Sequence, residues 1–316
     1  MQHASRLPLL AGLAAASIWG GMYAVSKVVL DVIPPFCLLS LRLVLGFAAL
    51  AVVIAFRGGW KRPTPRQLIG WLLAGFVGYG ISLGFQFVGT KLTSAANGSL
   101  VTAATPALVL PFAVLLLKER LGWRSLLALA VASLGVVAVI DPRTANLASA
   151  NFLGNLLLVG AALTWALYSV LVTRLTRDSD VLVSTAIMFL GGLPTSLALG
   201  AGELGSQGIG VITIGIIGGV LFLGLVSTAG AMFLWNYAFA RLPATTASLT
   251  FFAQSLVGGF LGWAFLGEAI TPLFIIGGVL IVAGLVIQST GKSVSPVAEA
   301  VEGEAGTSGN EGDGRR

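Results

Sequence analysis

Stretches of about twenty apolar residues recur along the chain, separated by short breaks that carry charge, proline or both. A helix of that length crosses the hydrocarbon core of a bilayer. The pattern predicts ten helices, over residues 7–30, 35–56, 67–89, 93–117, 122–140, 152–173, 181–201, 209–235, 243–266 and 271–290. Pro34-Pro35, the run from Arg57 to Arg66, Lys118-Glu119-Arg120 and the run from Arg174 to Asp180 are typical breaks. The alternating ten-residue strands of a membrane β-barrel do not occur. The expected fold class is therefore an all-α integral membrane protein with ten transmembrane helices.

Composition agrees with that solvent. Of 316 residues, 56% are hydrophobic and 9% charged, whereas a soluble domain carries about 25% charged residues. So few charges cannot cover a surface in water. The 42 glycines suit helices that pack closely through small residues. A single histidine, His3, and a single cysteine, Cys37, leave no zinc cluster, no Ser-His-Asp triad and no disulfide framework. No phosphate-binding GxxxxGK[ST] loop is present. Neither enzymatic chemistry nor a metal or other cofactor is expected.

The net charge of +6 is a topology signal rather than a nucleic-acid one. Arg57, Lys61, Arg62, Arg66, Lys118, Arg120, Arg124, Arg174, Arg177 and Arg241 fall in alternate loops, and the intervening loops hold only Lys91 and Arg143. Basic loops stay in the cytoplasm, which predicts both termini there, in the inner (plasma) membrane. The apolar run after Arg6, with Ala14-Ala15-Ala16, has the outline of a signal peptide. It continues to Leu30 and is expected to be a retained first helix. Residues 291–316 are rich in Gly, Glu, Ser and Ala and are expected to form a disordered cytoplasmic tail.

The two halves repeat. At an offset of 149, Ser99-Leu100 falls on Ser248-Leu249, Glu119 on Glu268 and Gly135 on Gly284; at 146, Trp19 falls on Trp165. Each unit, 1–143 and 152–290, then holds five helices. An odd number inserts the second unit upside down, an arrangement found in secondary transporters with the substrate site at the repeat interface. The order and spacing of Ser17-Ile18-Trp19-Gly20, Lys27, Arg42, Thr105-Pro106, Lys118-Glu119-Arg120-Leu121 and Gly135, then Trp165 to Tyr168, Gln254, Gly267-Glu268 and Gly284, resembles the drug/metabolite transporter superfamily. Within it the chain is similar to the ten-helix branch with two EamA-type domains. That resemblance implies two inverted five-helix repeats around a central cavity, and export or exchange of small metabolites, often amino acids. Pro106 has Ser255 as its counterpart, so a proline kink is expected in helix 4 and not in helix 9.

Polar and aromatic stripes at helical spacing name the candidate substrate-binding residues. Asn97, Val101 and Thr105 share one face of helix 4, and the repeat puts Thr246, Thr250 and Gln254 at the same positions of helix 9. Such a stripe faces either a cavity or a hydrogen-bonded neighbour helix. Trp19, Met22 and Ser26 on helix 1 are matched by Trp165, Tyr168 and Val172 on helix 6. Both tryptophans lie roughly 18–20 Å along their helices, too deep for the interfacial belt. Tyr79, Ser82 and Gln86 form a third face. Trp71, Trp235 and Trp263 lie nearer segment ends, as belt residues would. Lys27 can snorkel to the surface; Arg42, about 10 Å inside helix 2, either serves a site or bonds to helix carbonyls. Glu119 and Glu268 at helix ends suit capping.

No Asp or Glu falls in the middle third of any span, which disfavours cationic drugs and proton coupling. The expected cargo is a neutral, zwitterionic or anionic metabolite, amino acids among them. The expected partners are that small molecule and membrane lipid, with no nucleic acid, for a monomer or weak homodimer. A channel or a non-transporting membrane partner remains open at this point, as does an intramembrane lipid-modifying enzyme.

Overall fold

Proline and hydroxyl residues decide where the helices begin, because the first turn has backbone N–H groups with no helical acceptor. The computed structural model describes residues 6–58, 62–93, 101–140, 152–266 and 272–289. Pro8, Pro35, Pro65 and Pro106 stand in first turns, and Thr64, Asp180 and Thr213 cap theirs through side-chain oxygens. We number the helices α1 (Leu7–Leu30), α2 (Pro35–Phe56), α3 (Pro65–Leu92), α4 (Thr105–Leu117), α5 (Trp123–Ile140), α6 (Phe152–Thr176), α7 (Val181–Gln207) and α8 (Ile214–Arg241). In α9, Ala244–Leu249 continues through Thr250–Phe252 into Ala253–Leu266; α10 is Pro272–Ser289. No strand occurs among the described residues. Six helices, α1 to α3 and α6 to α8, are long and apolar enough to cross a membrane, and three shorter apolar helices lie in α4, α5 and α10. On α10, Ile275, Val279, Val282 and Val286 form an exposed apolar stripe, as a lipid-facing surface requires.

The ends of α7 and α8 differ from the pattern-based expectation, and α8 runs on to Arg241 instead of stopping at 235. Helix α7 runs on to Gln207 instead of stopping at 201, which brings Glu203 into its last turn. Helix α8 starts at Ile214 instead of 209. Gly208 takes the left-handed φ of 69° that ends α7, Gly210 N–H donates to Val32 O, and the Thr213 hydroxyl accepts from Ile216 N–H.

Four helices are irregular at repeat-related places. Helix α3 widens into a π-helical segment at Phe76–Ser82 and α8 at Phe222–Gly230, starting 146 residues apart. In α8, Thr228 Oγ1 donates to Leu223 O, five residues back. The chain makes a turn at residues 103–104 before α4, and α9 tightens to a 3-10 turn at Thr250–Phe252. The expectation of a kink in one half alone is therefore corrected. Pro106 starts its helix, and α9 deviates at the matching place without a proline.

Carboxylates tie helix ends across the molecule. Glu203 Oε2 accepts from Phe36 N–H and Cys37 N–H at the start of α2, where Pro34 offers no cap. At the opposite ends of the same two helices, Arg57 pairs with Asp180 at 3.1 Å. Helices α2 and α7 thus run antiparallel. Glu119 accepts from Ala244 N–H and from the Thr245 N–H and hydroxyl at the start of α9, which is capping by another helix's carboxylate. Its repeat counterpart Glu268 lies outside the described residues.

Helices α5 and α10 cross through two glycines. A Cβ on Gly135 would fall 2.7 Å from Gly277 O, and one on Gly284 2.7 Å from the Ala132 Cβ and 2.8 Å from Ala128 O. These crossings are the same contact seen from either side. Gly135→Ala and Gly284→Ala should each destabilise by about 1–3 kcal/mol, the usual range for overpacking, whereas Gly122→Ala, with nothing within 4 Å, should be neutral. Thermal unfolding in detergent checks this, and unequal effects at the two glycines would break the equivalence.

Candidate functional site

Two tryptophans at repeat-related positions meet in the middle of the fold. Trp19 and Trp165 pack edge to face with ring centroids 5.6 Å apart, a geometry that adds about 0.5–1.5 kcal/mol beyond area burial. Trp19 Nε1 donates to Ser227 O in the π segment of α8. Trp235 and Phe251 complete the aromatic layer, at 5.2 and 6.0 Å from Trp19. Trp235 is fully buried and donates to Ser169 Oγ, and Trp71 is buried and donates to Leu175 O. The belt assignment of both is corrected; α8 runs on to Arg241 instead of stopping at 235, which moves Trp235 away from a helix end. The Trp263 side chain lies outside the described residues.

Above this layer is a cavity lined by Trp19, Met22, Ser82, Leu83, Gln86, Thr102, Thr105, Ala161, Ala162, Trp165, Met232, Phe251 and Gln254. Walls come from α1, α3, α6, α8, α9 and the break before α4, so both halves contribute. Ser82 Oγ donates to Ala161 O. Tyr23, just behind the wall, shares a hydrogen bond with Thr102 and accepts from Gln86 Nε2. Three buried wall atoms have no partner: Thr105 Oγ1, Trp165 Nε1 and Gln254 Nε2.

Below the layer, four fully buried polar side chains bond to one another. The Tyr79 and Tyr168 hydroxyls are joined by a short hydrogen bond. Tyr168 Oη donates to Asn236 Oδ1 at 2.8 Å, and Asn236 Nδ2 donates to Tyr79 Oη at 3.2 Å and Thr185 Oγ1 at 3.0 Å. The cluster links α3 of the first half to α6, α7 and α8 of the second. Along α3, α6 and α8, cavity residues lie on one side of it: Ser82 and Gln86 beyond Tyr79, Ala161 and Ala162 before Tyr168, Met232 before Asn236.

Of the residues singled out in the sequence, Trp19, Met22, Ser82, Gln86, Thr105, Trp165 and Gln254 line the cavity. Tyr79 and Tyr168 sit in the cluster beneath it. Thr246 accepts from Gln288 Nε2 of α10 at 2.8 Å, which corrects its placement: the hydroxyl bridges two helices. Thr250 donates to Ala247 O and packs where a Gly12 side chain would be, so it too is a packing residue. Asn97 lies outside the described residues. Arg42 is fully buried behind Met22, away from the cavity lining; its bonds go to side chains, not to helix carbonyls. Lys27 Nζ reaches Thr90 O and Lys91 O at 3.5 Å. Tyr23, Thr102 and Asn236 are site residues that the sequence reading does not single out, although Trp19 lies four residues before Tyr23 and Thr105 three residues after Thr102. Among the described residues, no group of three or more His, Cys, Asp or Glu could hold a metal ion.

The model of the EamA-like transporter family matches residues 6–140 and 152–290. The chain is 26% identical to the uncharacterized transporter YcxC of Bacillus subtilis (strain 168), over 90% of this chain and 94% of that one. It is 27% identical to a probable amino-acid metabolite efflux pump of Salmonella typhimurium (strain LT2), over 89% and 94%. A crystal structure at 23% identity superposes with a TM-score of 0.73, covering 89% of this chain and 96% of that one, which shows the same fold.

The buried cluster should behave as one unit. Tyr79→Phe removes a hydroxyl bonded to two partners and should lower stability by about 1–3 kcal/mol. Combining it with Asn236→Leu should cost less than the sum of the single changes. Melting curves of the purified variants test this, and strict additivity would contradict a shared network.

Proposed function

The chain belongs to the EamA-like transporter family, and from that premise we propose that it is a secondary transporter of small metabolites, most readily amino acids and related zwitterions or organic anions, working in the export direction by alternating access. One observation carries the cargo reading: Thr105, Trp165 and Gln254 all line one cavity, and each has a buried side-chain polar atom without a hydrogen-bond partner. An unsatisfied buried donor costs about 1–3 kcal/mol, and a static bundle has no reason to keep three together. A polar ligand between aromatic walls satisfies them. The aromatic surfaces of Trp19, Trp165 and Phe251 suit an apolar side chain, and the amide and hydroxyl groups suit a polar backbone. The Salmonella relative's description as a probable amino-acid metabolite efflux pump favours the same class.

The proposed architecture is ten membrane crossings in two inverted five-helix units, 1–143 and 152–290. The antiparallel pairing of α2 with α7, the reciprocal glycine contacts of α5 and α10 and the matched π segments of α3 and α8 support it. With both termini cytoplasmic, as the loop charges favour, the cavity lies on the outer side of the aromatic layer and the Tyr79–Tyr168–Asn236 cluster on the inner side. The cluster then acts as the closed inner gate. At an offset of 146 its members correspond to Leu225, Met22, Thr90 and Leu39, which cannot form the same hydrogen-bonded cluster. An inner latch that must break for cargo to enter, with repeat counterparts of different chemistry, gives alternating access two unequal gates.

Trp165→Phe keeps the ring and deletes the N–H; Gln254→Leu deletes the amide. Each should cut transport about tenfold, the equivalent of one lost hydrogen bond to ligand, without lowering the melting temperature. The assay is counterflow of radiolabelled amino acids in proteoliposomes. A chain that gives no saturable counterflow of any amino acid or small carboxylate above empty vesicles is not this transporter.

A further inference from the structure

Arg42 is fully buried, and every partner it has is neutral. Its Nε donates to Thr228 Oγ1 at 2.9 Å, Nη2 reaches Ser227 Oγ at 3.2 Å and Met22 Sδ at 3.6 Å, and the guanidinium lies 4.9 Å from the centre of the Phe87 ring. Nη1 has no partner. Buried cations are ordinarily paired with carboxylates, and the ion pair found among the described residues, Arg57–Asp180, is elsewhere.

Two further orphans lie on the helices that carry its partners Met22 and Phe87. Ser26 and Thr90 are each 1% exposed and their hydroxyls have no partner. Ser26 is one helical turn beyond Met22 on α1, and Thr90 is one turn beyond Phe87 on α3; Met22 and Phe87 both touch Arg42. Lys27, next to Ser26, reaches the Thr90 carbonyl, which puts the two hydroxyls at one level and adds a second cation. The repeat shows that the fold does not need a charge at this crossing. The counterpart of Arg42 is Met188, which meets Tyr168 Oη at 3.7 Å just as Arg42 meets Met22, and Met22 is the counterpart of Tyr168.

We propose that Arg42, Ser26 and Thr90 form an anion subsite beside the cavity, which takes either the carboxylate of the cargo or a free halide. Its donors are one cation and two hydroxyls, a set that rejects cationic ligands and complements a single negative charge. Met22 stands between this subsite and the cavity. Its side chain has three rotatable bonds, so a rotamer change joins the two spaces. The carboxylate alternative rests on the transporter reading above, whereas the halide alternative stands without it.

The test uses the purified full chain in detergent with isethionate as the counter-ion. Leucine and leucinamide are titrated against tryptophan emission, and chloride is titrated against thermal unfolding. A cargo carboxylate in the subsite makes leucine bind at least tenfold more tightly than leucinamide, and Arg42→Gln brings the ratio close to one while leucinamide affinity stays put. A halide in the subsite makes chloride raise the melting temperature of the native chain and not of Arg42→Gln. Thr90→Val guards against a folding defect: losing an orphan hydroxyl should leave stability equal or higher, yet weaken the same response about threefold. Equal binding of leucine and leucinamide together with no chloride shift overturns the proposal, as does any response that Arg42→Gln leaves intact. Failure of counterflow with a retained chloride response would remove the transporter reading and keep the anion site.

Discussion

A polar group inside the hydrocarbon has no water to bond to, so each one must find a protein partner or remain an expense that function has to justify. Most of this protein's buried hydroxyls meet that condition locally. Ser169, Thr176 and Thr185 donate to carbonyls four residues back. Tyr79, Tyr168, Thr185 and Asn236 satisfy one another across four helices. Against that background the exceptions among the described residues are informative: Thr105, Trp165 and Gln254 line one cavity, and Arg42, Ser26 and Thr90 are the three left unsatisfied elsewhere.

The same constraint explains how the halves are held. Lipid gives no hydrophobic drive for helices to associate, so packing depends on close approach and a few polar ties. Small residues supply the approach at Gly135 against Gly277 and at Gly20 against Gly258. Glu203 and Glu119 supply ties at the ends of helices. The centre relies on ring packing among Trp19, Trp165 and Trp235.

The membrane class and most helix positions were legible because apolar length and loop charge are averages over many residues. Duplication made Trp19 and Trp165 legible as well, since two deep tryptophans at one repeat position are hard to explain by an interfacial belt. Duplication misled at Thr246 and Thr250, because a repeated stripe marks a repeated helix crossing as readily as a repeated cavity wall. A boundary hides Trp235 from the pattern: α8 runs on to Arg241 instead of stopping at 235, and Trp235 is buried in the aromatic layer. The π segments left no pattern in the sequence, yet they aim Ser227 O at Trp19 and place Thr228 against Arg42. Arg42 drew attention as a charge, but its lack of an acidic partner is a fact of packing that no linear pattern records.

The central claim is that the space between Ala162, Trp165 and Gln254 is the cargo's path. The most direct measurement is the rate at which a membrane-impermeant maleimide labels Ala162→Cys in a Cys37→Ser background, in proteoliposomes with and without transported amino acid. The account predicts labelling from the outer face, slowed several-fold by cargo. Labelling that ignores every cargo the protein moves would contradict it.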